Sequence, residues 1–431
     1  MNKEYLKKPG DVVIDEVIIR TRSGNNIDIY NSFLSMDIYE SIYNPYLEGF
    51  ITMTDTKNIK SIFPLVGDET LEVSFRTPGK TNIRRTFSVR GMGPTVPTSN
   101  KNEVIHQLKF SSKSYIVDMT TKISRSFKNI ERSKIVESIY DQNLRLEDSQ
   151  NMLELKTIPS TNGPTSLVIP FWSPFKAITK IANHCEYMGN CDYMFFETID
   201  SVYFYPISFL KTRPSTNTYF YPETGTRPSG NSVDITLELR KIIDYVLVEQ
   251  MNEKYDNLFK GMYSGTNLCF DTTYKKPSLN PYAYARDFLE TDHVEDNPIL
   301  PKIRDDYSTK YLSSIYKTDT ASYLFDGLAS HNTIKNNMFK RNNHILHLSS
   351  QKMTINLYGD TDMRCGQVIE VLIPSKQPLS SSSQDKDDKQ ASGRYLIASL
   401  GHHLTRENHM MTLDICRDSL PEPIPDFSEF S

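Results

Sequence analysis

One strand pattern occurs twice in this chain, and it constrains the fold more than any other feature. TLEVSF (Thr70 to Phe75) follows Gly67-Asp68, and IEVLIP (Ile369 to Pro374) follows Gly366. RTFSVRG (Arg85 to Gly91) is answered by RYLIASLG (Arg394 to Gly401). Each is followed by a polar turn and a further strand, VIHQLKF or MTLDIC. The interval from Phe87 to Ile105 equals the interval from Tyr395 to Leu413. A strand set used twice predicts two copies of one β-module.

The rest of the chain fits a mainly β protein with an α+β middle. At 431 residues it exceeds one typical core, so two to four domains are expected. VVIDEVIIRT alternates and breaks at Ser23-Gly24-Asn25-Asn26, a turn signal. Pro45 and Pro78-Gly79 mark further connections, because proline donates no ladder hydrogen bond. The spacing predicts an antiparallel barrel or sandwich over residues 9–115. Residues 116–231 change period. Ser173 is a candidate N-cap and Pro174 suits the first helical position. Phe175, Ile178, Ile181, Ala182, Cys185 and Met188 then recur at helical spacing up to Gly189. DYMFFET and SVYFYPI predict a hairpin about Ile199-Asp200. Residues 232–251 and 342–420 are assigned to the second β-module and 252–341 to an insertion. Gln377 to Gly393 reads as a solvated low-complexity loop that buries nothing, and 421–431 as an extended tail.

Charge excludes one class of function. The net charge is −4, and no basic block exceeds the Lys7-Lys8 or Arg84-Arg85 pairs. A dedicated nucleic-acid binder needs a concentrated cationic face. No apolar run approaches the roughly 20 residues of a membrane span. The first residues lack a signal-peptide core, so synthesis in the cytoplasm is expected. Five scattered cysteines do not form a disulfide framework.

Catalytic and metal motifs are missing. The sequence has no G-x-S-x-G, Walker loop, H-E-x-x-H or G-x-G-x-x-G. Cys185 and Cys191, with His184, read as buried structural groups on a helix face rather than metal ligands. His344 and His347 read as flanking the start of a strand, and His402-His403 as lying in a turn, with no third ligand for either pair. Asp305-Asp306 and Asp387-Asp388 read as solvated loop acids. No catalytic residue, cofactor site or metal site is assigned.

Three segments resemble the central baseplate hub proteins of contractile-tailed, T-even-like bacteriophages, a family related to the N-terminal part of type VI secretion spike proteins. DIYESIYNPYLEGFITMTDTKNIKSIFPLVGDETLEVSF (Asp37 to Phe75) looks like a first tube-protein-like module. IPFWSPFKAITKIANHCEYMGNCDYMFFETIDSVYFYPI (Ile169 to Ile207) looks like the middle helix-plus-hairpin region. GQVIEVLIPS with SGRYLIASLGHHLTRENHMMTLDICRDSL looks like the second module. They fall in the family's order and cover most of the chain.

The resemblance implies an α+β, mainly β fold with two tube-protein-like antiparallel β-barrel or sandwich modules, a middle α+β domain and an insertion. It implies a structural protein of the virion tail baseplate, not an enzyme: a homotrimeric ring joining the hexameric tail tube to the trimeric central spike and lining part of the DNA channel. Its expected partners are itself, a spike protein on a separate chain, tail tube or tube-initiator proteins and other baseplate proteins. Viral DNA is expected only in transit, with no specific nucleic-acid binding. The alternative classes are a tail-associated cell-wall hydrolase and a receptor- or glycan-binding baseplate protein. Phe427 and Phe430, two large apolar groups on the polar tail, are candidate interface anchors.

Overall fold

The structure is a computed structural model that describes residues 6–21, 24–56, 67–97, 103–145, 153–157, 161, 163–222, 235–248, 253–271, 275–300, 311–316, 333–375 and 387–423. Alternating burial organises the first part of the chain. Seven strands follow one another: β1 (Val13–Arg20), β2 (Asn26–Asp28), β3 (Phe33–Ser41), β4 (Glu48–Asp55), β5 (Thr70–Arg76), β6 (Ile83–Pro97) and β7 (Val104–Ser112). In β4 every second residue, Gly49, Ile51, Met53 and Asp55, is buried, as a sheet with one covered face requires. The inward side chains of β1, β3, β4, β5, β6 and β7 share one core containing Val17, Phe33, Ile51, Phe75, Phe87 and Phe110.

The middle of the chain is α+β. It contains β8 (Ile123–Glu131), β9 (Glu154–Thr157), β10 (Pro164–Trp172), β11 (Tyr193–Glu197) and β12 (Ser201–Pro206). β11 and β12 form the expected hairpin about Ile199-Asp200. Helix Pro174–Ala182 buries Phe175, Ile178 and Ile181 in the same core as Tyr193 and Phe204. Two details differ from the sequence reading. The helix ends at Ala182 rather than near Gly189. Ser173 makes no capping bond; Asp118 accepts from the Phe175 N–H at 2.6 Å instead. A carboxylate from the neighbouring helix Lys113–Thr120 thus satisfies the orphan donor, and Ser173→Ala removes no cap.

The chain then adds β13 (Thr218–Phe220), β14 (Asp244–Val248), β15 (Ser264–Asp271), β16 (Lys276–Ala283), β17 (Asn297–Pro298) and β18 (Tyr311–Tyr316). Helix Thr333–His347 precedes β19 (Gln351–Tyr358), β20 (Val368–Leu372), β21 (Gly393–Thr405), β22 (His409–Arg417) and β23 (Ser419–Leu420). His344 and His347 therefore lie at the end of a helix, not at the start of a strand, and both are buried. β15, β16 and β18 form a separate small sheet, and β17 pairs with β23.

The repeat is a repeat of topology. β3–β4–β7–β6–β5 and β14–β19–β22–β21–β20 are matching runs of antiparallel neighbours. Leu71, Glu72 and Val73 oppose Phe87, Thr86 and Arg85, as Ile369, Glu370 and Val371 oppose Tyr395, Arg394 and Gly393. A bulge lies between Val89 and Gly91 and recurs between Ile397 and Ser399. One correction follows from the pairing. Met92 opposes Leu108, and Leu400 opposes Leu413, so the counterpart of Leu413 is Leu108 and not Ile105. A further bulge between Met92 and Thr95 and a longer turn account for the shift.

The polar loop also differs in part from expectation. Its first residues lie outside the described ones. Its last residues are anchored: Ala391 and Ser392 are buried, Arg417 donates to the Gln390 and Ser392 carbonyls, and Tyr395 donates to the Ala391 carbonyl at 2.8 Å.

Candidate assembly surface

The two modules are fused edge to edge. β21 pairs antiparallel with β3, from Ser399 opposite Ser41 to Thr405 opposite Ser35. Among the described residues this seam makes one thirteen-stranded sheet, ordered β14-β19-β22-β21-β3-β4-β7-β6-β5-β1-β2, with β20 and β13 branching from β21.

Buried polar groups lock the seam from its core side. Glu40 accepts from the Ile199 N–H at 2.8 Å and the Cys365 N–H at 3.0 Å, so one carboxyl ties β3 to the middle domain and to the second module. Burial pushes this carboxyl up to about 7, against the opposing pull of Arg364 and the two N–H donors. His402 and His409 share a 3.0 Å hydrogen bond in the interior, and His409 also meets the Thr77 hydroxyl at 3.4 Å. Burial lowers both imidazoles, His409 to about 3, so both are neutral at pH 7. Thr77 donates to the Gly359 carbonyl at 3.1 Å, and Lys80 reaches Asp360 at 3.1 Å and Asp362 at 3.2 Å. The β5–β6 turn of the first module is thereby docked on the second.

Two buried ion pairs clamp the middle domain to the modules. Arg85 on β6 meets Glu197 on β11 at 2.5 Å and donates to the Ile199 carbonyl at 2.9 Å. The Ser112 and Ser114 hydroxyls also donate to Glu197, at 2.8 and 3.0 Å. Lys211, at the end of helix Ile207–Lys211, meets Asp418 at 2.7 Å, and His293 from the insertion bonds the same oxygen at 2.7 Å. Burial alone would raise the Asp418 carboxyl and lower the Lys211 ammonium. Their mutual attraction wins, holding Asp418 well below the usual carboxylate range and raising Lys211.

The opposite face of the sheet is open and polar. Tyr39 on β3 is exposed and sits beside Phe50 on β4, edge to face at 6.3 Å. Lys109 lies 6.0 Å over the Phe50 ring. Asp37 and His403 pair across the seam at 2.5 Å. Thr354 donates to Asp414 at 2.7 Å, Thr412 to Asn356 at 2.6 Å, and Asn356 to Asp244 at 2.5 Å. Along these strands the acids Asp37, Glu48, Asp244 and Asp414 share this face with Lys109, Lys352 and Arg90, which pairs with Glu48 at 3.3 Å. The cross-strand hydrogen bonds order a polar surface of slight negative charge.

Cys185 and Cys191 are buried free thiols, pushed up to about 12 for Cys185, with no metal-ligating group of three or more among the described residues. His402 and His403 lie within β21 rather than in a turn, on opposite faces. Phe427 and Phe430 lie outside the described residues. Sequence reasoning missed Glu40, Arg85, Glu197, Lys211 and Asp418. Glu40, Arg85 and Glu197 are lone charges at inward strand positions, visible only once β3, β6 and β11 have known inward faces; Lys211 ends a short helix and Asp418 lies between β22 and β23.

No family model matches the chain. The sequence is 22% identical to the probable baseplate hub protein gp334 of Vibrio phage KVP40, with 91% of each chain covered. The fold is similar to the crystal structure of the tail protein from Neisseria meningitidis MC58, with a TM-score of 0.54 and 12% identity, covering 95% of this chain and 99% of that one. It is also similar to the 43 kDa tail protein of prophage MuSo2 from Shewanella oneidensis, with a TM-score of 0.53 and 9% identity, covering 94% and 98%. Along most of its length in sequence, and nearly throughout in fold, this chain is therefore similar to the baseplate hub and tail proteins of phages.

Proposed function

We propose that this chain is the structural hub of a contractile phage-tail baseplate. Three copies form a ring that joins the hexameric tail tube to the trimeric central spike. The observation that carries this reading is the fusion of two like modules, edge to edge, in one sheet. A chain with two such modules presents six similar units from three copies. It can therefore match a six-fold partner on one side and a three-fold partner on the other. The open face of the sheet lines the channel. Its slight acidity keeps DNA phosphates from binding by counterion release, so DNA passes without sticking. The chain acts by geometry and performs no catalysis. Its other partners are tube-initiator and baseplate proteins.

Native mass spectrometry of the full chain with its spike protein tests the stoichiometry. Three copies per complex is the expected result. One copy per spike trimer, or a pair, contradicts the hub reading.

A further inference from the structure

The seam inside one copy shows how the free edges of two copies meet. We infer that β14 of one copy pairs antiparallel with the outer half of β6 of a second copy, in the register that β3 adopts against β21. This rests on the proposed ring and goes further by naming the edges and their register.

The argument starts from the repeat. β14 is the counterpart of β3, since Tyr245 and Leu247 oppose Ile355 and Met353 as Met36 and Ile38 oppose Ile51 and Gly49. β6 is the counterpart of β21. Within one copy, β21 uses its first residues to pair with β20 and its last to pair with β3. β6 likewise uses Ile83 to Ser88 to pair with β5, but its remaining residues pair only with β7 among the described residues. β14 pairs only with β19 among the described residues. Among the described residues one module thus lacks the strand that the other receives, and β14, a strand of the matching kind, leaves its outer edge open at the far end of the sheet.

The side chains support the same junction. Val246 is 63% exposed, Val248 47% and Val96 51%. Exposed apolar side chains on an unpaired edge strand invite association unless a partner covers them. Val96 opposes Ile105 as His403 opposes Met410, so Val96 occupies the place of His403. By the same step Val246 occupies the place of Asp37. The ion pair of the internal seam becomes a pair of valines between copies. Transfer of the register sets Val96 opposite Val246, Thr95 opposite Leu247 and Pro97 opposite Tyr245. Pro97 lacks an N–H and falls at the end of the pairing, where a missing ladder bond is tolerated. The contact is head-to-tail, so it extends from copy to copy until the ring closes.

Cysteine cross-linking tests the edges, using the full chain at high concentration under mild oxidation. The five native cysteines are buried and give little background. Val96→Cys with Val246→Cys is expected to give covalent dimers and trimers on a denaturing gel, reversed by reductant. Each single variant is expected to stay monomeric on that gel, and Val96→Cys with Asp244→Cys to cross-link several-fold less. A second test uses charge. Val246→Asp is expected to abolish the trimer mass, and adding Val96→Lys to restore it. A trimer by mass with no Val96–Val246 cross-link overturns the edge assignment and leaves the ring reading standing. Monomer by mass with no cross-link overturns both. A trimer that survives Val246→Asp also overturns the edge assignment.

Discussion

Asp418→Ala is expected to destabilise the chain by about 3–5 kcal/mol, because it leaves the Lys211 ammonium buried without its partner. Both side chains are 1% exposed, so water cannot replace the lost charge. The pH dependence has a definite sign. Asp418 titrates below its ordinary 3.8 in the folded chain. Its contribution is therefore full above that value and is lost as pH falls through the lower, folded value. Lys211 titrates above its ordinary 10.5. Its contribution is full below 10.5 and is lost as pH rises through the higher, folded value. The gap between wild type and Asp418→Ala should thus close in acid. Urea denaturation at several pH values reads this directly. Replacing both partners, as Lys211→Met with Asp418→Leu, should recover most of the loss, since a buried pair often contributes little net stability over apolar groups. An equal loss in the single and double variants would show that the site acts through shape, not charge.

Arg85→Met is expected to cost a similar 3–5 kcal/mol, at the other clamp. The Glu197 side chain, 3% exposed, keeps two serine hydroxyls but loses the Arg85 cation. Arg85→Lys should not rescue, because an ammonium cannot reach both Glu197 and the Ile199 carbonyl from one rigid fork. Arg85→Met combined with Glu197→Gln should recover stability, since a neutral amide carries no buried charge. The midpoint of urea unfolding checks the size of the loss. Hydrogen exchange along Glu197 to Ser201 checks its place, with faster exchange expected in Arg85→Met than in the double variant.

Much of this architecture was legible because strand alternation and turn chemistry are local. The TLEVSF and IEVLIP segments align as the register has them, and β11 and β12 turn where Ile199-Asp200 interrupts two aromatic runs. The equal intervals were partly accidental: a bulge near Gly93 and a longer turn displace β7 from the naive alignment. The helix at Thr333–His347 was illegible for a different reason. Beside Phe339 its buried positions are Asn337, Asn343, His344 and His347, so the face that packs inward is mostly polar and carries little hydropathy signal. The seam lay furthest from view. Asp37 and His403 stand 366 positions apart, and nothing near either one announces the other. The strand repeat supplied the two modules, but only the fold supplied their junction.

The doubled module is best tested by electron cryomicroscopy of the assembled chains, viewed down the ring axis. Three chains should give a closed ring of six similar β-lobes. The segment carrying β17 and His293, which meets β23 and Asp418, should thicken every second lobe. That pattern, three-fold in detail and six-fold in outline, is the predicted result. Six identical lobes from six chains, or a ring whose lobe count is not twice its chain count, would contradict the account.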